Sequence, residues 1–316
     1  MISIIIPTFN TALLIERSIR SVLNQKNISD FELIIVDDCS TDDTLDVVHS
    51  INDPRIRIFR QRENRGPAAA RNRGLAEAKG EYFAYLDGDD YWEPEFLAKT
   101  SDFLNKYKDA VAVSVMQCHK ILGKAPAIAP VGIDIEQPVV LDDFFAFWAK
   151  YCHVCTGSVL MRTDIARTLG GQREDLRICE DLEFWILLGT QGKWGFIPEV
   201  LFTSDGGIVT QKQGWLEKNM RRWKSAPTVD DWVKRFSNFE DKSFLSVKGR
   251  IARNLCYSHI MCKKTKLARE EVLRYGNTFP KSKINKIFCI VAKSHTLWKI
   301  FTLLLRYREL SRRISE

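Results

Sequence analysis

Asp87, Asp89 and Asp90 put three carboxylates in four positions, directly after Glu81-Tyr82-Phe83-Ala84-Tyr85, an apolar, aromatic run that reads as a buried strand. Carboxylates this close disfavour each other's ionisation unless a cation lies between them, and a hard divalent ion with oxygen ligands suits that charge. A solvated acidic turn is the competing reading, because Asp and Gly are also turn residues. A second acidic strand end, Val36-Asp37-Asp38, weighs toward a site. Asn64-Arg65-Gly66-Pro67 leads into a helix carrying Arg71, where backbone N–H groups and guanidinium can hold a phosphate or a base; a surface cation is the plainer account. Glu180 and Asp181 open another helix, suiting either proton transfer or the helix dipole.

These groups need a scaffold that delivers them to one place. Strand patterns at Ile2 to Pro7, Phe31 to Asp37, Arg55 to Gln61 and Tyr82 to Asp87 alternate with helical periodicity at 12 to 24, 42 to 50 and 67 to 79. Gly80 is expected to close the third helix as a left-handed stop, and Asp42-Asp43-Thr44 to open the second. Such a series predicts an α/β fold, a Rossmann-like, mostly parallel sheet with helices on both faces, whose ligands bind at the carboxyl ends of the strands. Pro7-Thr8-Phe9-Asn10, Asp37-Asp38 and the Asp87 cluster all fall at such ends. Lys120 to Gln137, rich in Gly, Pro and Ala, reads as a long loop, either a lid or a loosely specified connection.

The 316 residues carry a formal charge of +7 that hides a division. Residues 1 to 211 hold 22 Lys and Arg against 31 Asp and Glu, a net of −9, whereas residues 212 to 316 hold 25 against 9, a net of +16. That asymmetry implies an anionic partner for the last third, a membrane surface or a nucleic acid. Eight cysteines without repeated spacing form neither a disulfide framework nor a zinc site; even Cys152-His153-Val154-Cys155 reads as buried thiols in a reducing compartment. Met1 to Pro7 reads as a strand rather than a signal peptide, and Lys286, Lys293 and Lys299 interrupt the best membrane-span candidate.

Pro7-Thr8-Phe9-Asn10, Val36-Asp37-Asp38-Cys39-Ser40-Thr41-Asp42, Asn64-Arg65-Gly66, Ala70-Arg71-Asn72 and Leu86-Asp87-Gly88-Asp89-Asp90 stand in the order and near the spacing of the family 2 glycosyltransferases with the GT-A fold, which the first 210 residues or so resemble. The resemblance implies transfer of a sugar from a nucleotide diphosphate donor, a UDP-sugar first of all, with inversion and with help from Mn2+ or Mg2+. It implies that Thr8 and Asp38 contact base and ribose, that Arg71 lies near base or pyrophosphate, and that Asp87 touches the ribose or the metal's waters. Asp89 becomes the metal ligand, and Asp181 the general base beside the acceptor hydroxyl, while Pro7, Asn10, Arg65, Gly88 and Glu180 join the substrate-binding set. Where many relatives carry an aromatic, an Arg and a His ahead of a Gly-Ser turn, this chain has Phe202-Thr203-Ser204-Asp205-Gly206-Gly207-Ile208, so Asp205 becomes the further metal ligand, one unable to donate to phosphate. Met220-Arg221-Arg222-Trp223 resembles only faintly the signature of processive synthases, which favours single addition.

The expected division is a catalytic domain over 1–211, with a nucleotide-sugar half over 1–120 and an acceptor half over 121–211, and a basic helical region over 212–316. Helices are expected at 213–224, 228–238, 242–263, 265–275 and 282–310. The last carries Ile284, Ile287, Phe288, Val291, Leu297, Trp298, Phe301, Leu304 and Leu305 among lysines. It either packs inward or lies in a membrane interface with Trp298, Phe301 and Leu305 in the lipid. The partners that follow are a nucleotide sugar, a saccharide or lipid-linked saccharide acceptor, and an anionic membrane surface contacted through residues 282–316, with no nucleic acid and the oligomeric state open; the location is cytoplasmic, against the inner face of the cell membrane. A sugar-nucleotide pyrophosphorylase would want a Gly-rich basic loop after the first strand, and a non-enzymatic anion-binding protein would leave three acidic strand ends without purpose.

Overall fold

The structure, a computed structural model, describes the chain except residues 121–123, 152, 206–214, 238, 240 and 315–316. Cys152, the Gly206-Gly207-Ile208 turn and the start of the helix expected at 213 lie outside the described residues.

The first unit comprises Met1–Asp175 and Cys179–Gln211. Its strands are β1 (Ile2–Thr8), β2 (Phe31–Asp37), β3 (Ile56–Arg60), β4 (Tyr82–Tyr85), β5 (Tyr91–Trp92), β6 (Ala110–His119), β7 (Ala127–Ala129), β8 (Val139–Val140), β9 (Val159–Arg162) and β10 (Lys193–Ser204). Between them run α1 (Ile15–Leu23), α2 (Thr44–His49), α3 (Pro67–Glu77), α4 (Phe96–Lys106), α5 (Phe144–Tyr151), α6 (Thr163–Thr168) and α7 (Glu180–Gly189). One sheet holds them in the order β3-β2-β1-β4-β9-β6-β10-β5, with β7 on β6 and β8 on β10. β1 and β2 are buried at every residue, as central parallel strands covered on both faces must be. Alternation along β1 supplies both faces. Ile2, Ile4 and Ile6 join Ile15, Ile19 and Val22 of α1 and Phe96 and Leu97 of α4, whereas Ile5 meets Gly74 of α3.

Strand direction decides what shares an edge. β3, β2, β1 and β4 are mutually parallel, β9 runs antiparallel to both β4 and β6, and β10 is parallel to β6. The carboxyl ends of β1, β2, β4, β6 and β10 therefore lie at one rim, bringing Thr8, Asp37, Asp87, Lys120 and Asp205 toward each other. β5 pairs antiparallel with the end of β10, Trp92 opposite Phe202 and Tyr91 opposite Thr203, which seats the acidic loop against Asp205.

Two local expectations need correction. Gly80 is not a left-handed stop: α3 leaves its helix at Ala78 in an extended conformation (ψ 138°), and Gly80 is required because a Cβ there would lie 2.6 Å from both Ser3 N and Tyr82 O. The segment from Lys120 to Gln137 is not wholly loop, since β7 pairs with Gln117–His119.

The second unit comprises Leu176–Ile178 and Lys212–Glu316. It contains α8 (Trp215–Lys224), α9 (Val229–Trp232), α10 (Lys242–Met261), α11 (Thr265–Tyr275), α12 (Lys283–Val291) and α13 (His295–Ile314). Thr228, Asp241 and Ser282 cap α9, α10 and α12 through side-chain oxygens. The helix expected over 282–310 is broken: Ser294 Oγ accepts from Leu297 N at 3.4 Å and Ser294 O from Trp298 N, restarting the chain as α13. Trp298 is not at a surface. It is 1% exposed, its Nε1 donates to Thr265 O at 2.7 Å, and it faces Phe288 and Phe301. The exposed apolar face is instead Leu297, Ile300, Leu303, Leu304 and Tyr307 on α13 with Ile287 and Ile290 on α12.

Candidate active site

The exits of β1 and β2 are stitched together. Asp38 N donates to Thr8 O (2.8 Å), Asn10 N to Ser40 Oγ (3.0 Å), Thr41 N to Asn10 Oδ1 (2.8 Å) and Thr11 N to Thr44 Oγ1 (2.8 Å). Asn10 (φ 53°) and Cys39 (φ 67°) take left-handed backbone at these turns, a conformation costly for non-glycine residues and held here by that bonding. Thr8 is buried with its hydroxyl against that of Thr11, and Pro7 is buried in β1. A Cβ on Gly88 would stand 3.0 Å from Ile15 Cδ1 and 3.2 Å from Thr11 Oγ1, so the acidic loop crosses this exit closely and a larger residue there would make those side chains give way by a few tenths of an ångström.

Asp38 is built into the neighbouring loop. Its Oδ1 accepts from Arg65 N (2.8 Å) and Gln61 Nε2 (2.7 Å), and its Oδ2 from Gly66 N (2.7 Å), fixing the entry to α3. Arg65 turns outward to Glu174, 2.6 Å away.

Arg71 ties two carboxylate groups together. Its side chain is 6% exposed; Nη2 donates to Asp87 Oδ1 at 2.7 Å, and Nη1 lies 3.3 Å from Gln172 Oε1 and 3.7 Å from Glu180 Oε1. Burial alone would weaken its charge, but Asp87, Glu180 and Asp181 outweigh that and hold the guanidinium above its ordinary value. The same contacts connect the acidic loop to the start of α7. There Cys179 (φ 62°) turns the chain in left-handed backbone; Glu180 and Glu183 are buried, while Asp181 stays half-buried with Oδ1 accepting from Leu182 N at 2.8 Å. Of these three acids, Asp181 is the least buried.

On the other flank, Asp90 is buried and its Oδ1 accepts from Asp205 N at 2.9 Å. Burial, then the charges of Asp89 and Asp87, push its carboxyl up to about 8. Asp205 is 5% exposed, its Oδ2 2.6 Å from Arg17 Nη1 and 3.9 Å from Lys120 Nζ, and its buried Oδ1 has no hydrogen-bond partner among the described residues. Arg17 Nη2 also donates to Asp89 O at 2.7 Å. Arg17 and Lys120 were not legible from sequence: Arg17 is one cation on an amphipathic helix, and Lys120 requires the end of β6 to be recognised as part of this rim.

Among the described residues, no three His, Cys, Asp or Glu side chains form a cage that would hold a metal ion. The crowded Asp87, Asp89 and Asp90 nevertheless fit a hard divalent ion of the Mn2+ or Mg2+ kind, which keeps waters and takes one or two carboxylates plus substrate phosphates. Asp89 and Asp87 would hold it; Asp205 gives one oxygen to Arg17. The described cysteines, Cys155 among them, are free thiols.

Comparison with known proteins agrees with this architecture. A family model described as Glycosyl transferase family 2 matches residues 3–159. The chain is 30% identical over 194 residues to the putative teichuronic acid biosynthesis glycosyltransferase TuaG of Bacillus subtilis, covering 61% of this chain and 73% of that protein. It is 34% identical over 168 residues to the UDP-Glc:alpha-D-GlcNAc-diphosphoundecaprenol beta-1,3-glucosyltransferase WfaP of Escherichia coli, covering 52% of this chain and 62% of that one, just under two thirds of its length. The crystal structure of S. aureus TarS in complex with UDP-GlcNAc superposes with a TM-score of 0.69 at 18% identity, over 98% of this chain and 91% of that one, a likeness of fold. The parallel sheet with its acidic carboxyl rim, the matching family model and the relatives' similarity together establish that the chain belongs to glycosyltransferase family 2 and is a glycosyltransferase of the GT-A fold.

Proposed function

We propose that the protein moves a sugar from a nucleotide diphosphate donor, a UDP-sugar, to a hydroxyl of a saccharide or lipid-linked saccharide in surface polysaccharide synthesis, with inversion at the anomeric carbon. The observation that carries this reading is the single network in which Arg71 joins Asp87 of the acidic loop to Glu180, beside the half-buried Asp181. In a direct displacement, the acceptor oxygen bonds to the anomeric carbon as the bond to the diphosphate breaks on the opposite face. Asp181 takes the hydroxyl proton as attack proceeds, which is worth about a hundred- to ten-thousand-fold. Asp89 and Asp87 would hold Mn2+ or Mg2+, which when bound would supply Lewis-acid stabilisation of the charge on the leaving diphosphate. The bound UDP-GlcNAc of TarS and the UDP-Glc and diphosphoundecaprenol in the name of WfaP support the donor and acceptor classes.

The exposed apolar face of α12 and α13 supports contact with an anionic membrane surface. Ile290, Leu297, Ile300, Leu303, Leu304 and Tyr307 stand among exposed Lys286, Lys293, Lys299 and Arg308, the pattern of a helix lying in the interface. Among the described residues, no helix is long and apolar enough to cross a membrane. The reaction is tested by screening nucleotide sugars for release of nucleoside diphosphate with Mn2+ present. Release from a UDP-sugar that depends on both acceptor and metal is expected; a screen in which no nucleotide sugar is consumed would overturn the reading.

A further inference from the structure

Cations bracket the acidic loop on both sides. Arg71 holds Asp87 from one; Arg17 and Lys120 stand on the other, with no part in the reaction described above. Arg17 comes from α1 and stacks over Tyr91 at 4.8 Å, while Lys120 follows β6, donates to Tyr91 Oη at 2.6 Å and is anchored by its own N–H to Ser204 O at 2.9 Å. Both converge on Asp205 Oδ2, and with that one carboxylate the trio carries a net charge of +1 beside Asp89, whose carbonyl also binds Arg17.

A leaving nucleoside diphosphate gains negative charge as its bond to the sugar breaks, and fixed donors at that point lower the barrier most effectively. Asp205 itself cannot donate. Among the described residues, Arg17 uses one N–H of each terminal nitrogen, for Asp205 and for Asp89 O, and each has a second to offer. Lys120 is 42% exposed and uses one of three N–H groups on Tyr91. We infer that Arg17 and Lys120 form the edge of the site that binds the donor's diphosphate, on its β-phosphate side, and that Asp205 is a positioning residue holding the Arg17 fork beside Asp89. This assignment rests on the donor reading proposed above.

Calorimetry with UDP and with UMP, each with Mn2+, tests it, because only UDP carries the β-phosphate. Lys120→Gln changes an exposed side chain, and Arg17→Gln combined with Asp205→Asn avoids leaving a buried charge unpaired. Each should weaken UDP by about tenfold or more while UMP changes by less than about threefold. Asp205→Asn alone should lower the UDP-to-UMP affinity ratio by a smaller factor. An unchanged ratio in both Lys120→Gln and the double variant, at retained melting temperature, overturns the inference and leaves the donor reading standing. Failure of the unaltered protein to bind either nucleotide overturns the donor reading and this inference with it.

Discussion

Replacing Arg71 by methionine separates a positioning role from direct donor contact. Methionine approximates the length of the side chain, so the loss is mainly charge and hydrogen bonds. The guanidinium is 6% exposed and serves Asp87 at 2.7 Å, Gln172 at 3.3 Å and Glu180 at 3.7 Å. Breaking a buried pair by removing one partner costs about 3–5 kcal/mol, but Asp87 is 34% exposed and water can solvate it, which brings the expected loss to about 2–3 kcal/mol. In a unit of about 200 residues this corresponds to a fall in melting temperature of roughly 4–12 °C. Turnover should fall at least about tenfold, because the acidic loop and the start of α7 lose their common anchor, while affinity for UDP should change by less than about threefold. Differential scanning fluorimetry, steady-state kinetics and calorimetry measure the three quantities. A variant that melts within about one degree of the parent yet loses tenfold or more in UDP affinity would refute the reasoning and make Arg71 a donor contact.

Asp89→Ala should remove Mn2+-dependent UDP binding, since an ion held by few protein oxygens loses much of its site with one ligand; unchanged calorimetric affinity would discard the metal assignment. Asp181→Asn should keep donor affinity and lower turnover about a hundredfold or more, and a loss below about fivefold would shift the base to another carboxylate. Ile300→Glu with Leu304→Glu should abolish salt-sensitive sedimentation with anionic liposomes, to which each nearby Lys or Arg adds about 1 kcal/mol; equal sedimentation of the variant would exclude this face. At the opposite edge of the sheet, burial would raise the Glu32 carboxyl, but Ser3 Oγ, Arg57 and Lys79 N–H outweigh it and hold it below its ordinary value. Its stabilisation is therefore complete above the unfolded pKa of about 4.3 and lost as pH falls through the lower folded value. The melting-temperature gap to Glu32→Gln should be widest above about pH 5 and close on further acidification, with activity at neutral pH unaffected; a gap independent of pH would mean that the charge contributes nothing.

Strand and helix order over the first 90 residues was legible because buried parallel strands write themselves as continuous Ile and Val runs, as in β1 and β2, and because helices between them show a 3.6-residue period. The carboxylates at strand ends could be read as a site for the same reason: in a parallel sheet those ends share an edge. Charge division along the chain and the positions of most C-terminal helices were equally local properties. The break at Ser294 was not, since a serine inside an apolar period caps a new helix only when the backbone turns there, and Trp298 faced inward because α13 places Trp298 and Phe301 against Phe288 and leaves 297, 300, 304 and 307 outside. Tertiary structure alone decided that β9 runs antiparallel between β4 and β6, and with it that Lys120 and Asp205 reach the rim of the acidic loop. It also decided that Arg71 lies buried between Asp87 and Glu180, residues 16 and 109 positions away. Residue types and local periodicity encode which elements form and which chemistry they can carry. Which charges neutralise one another depends on strand order and direction, and these are set by packing over the whole sheet.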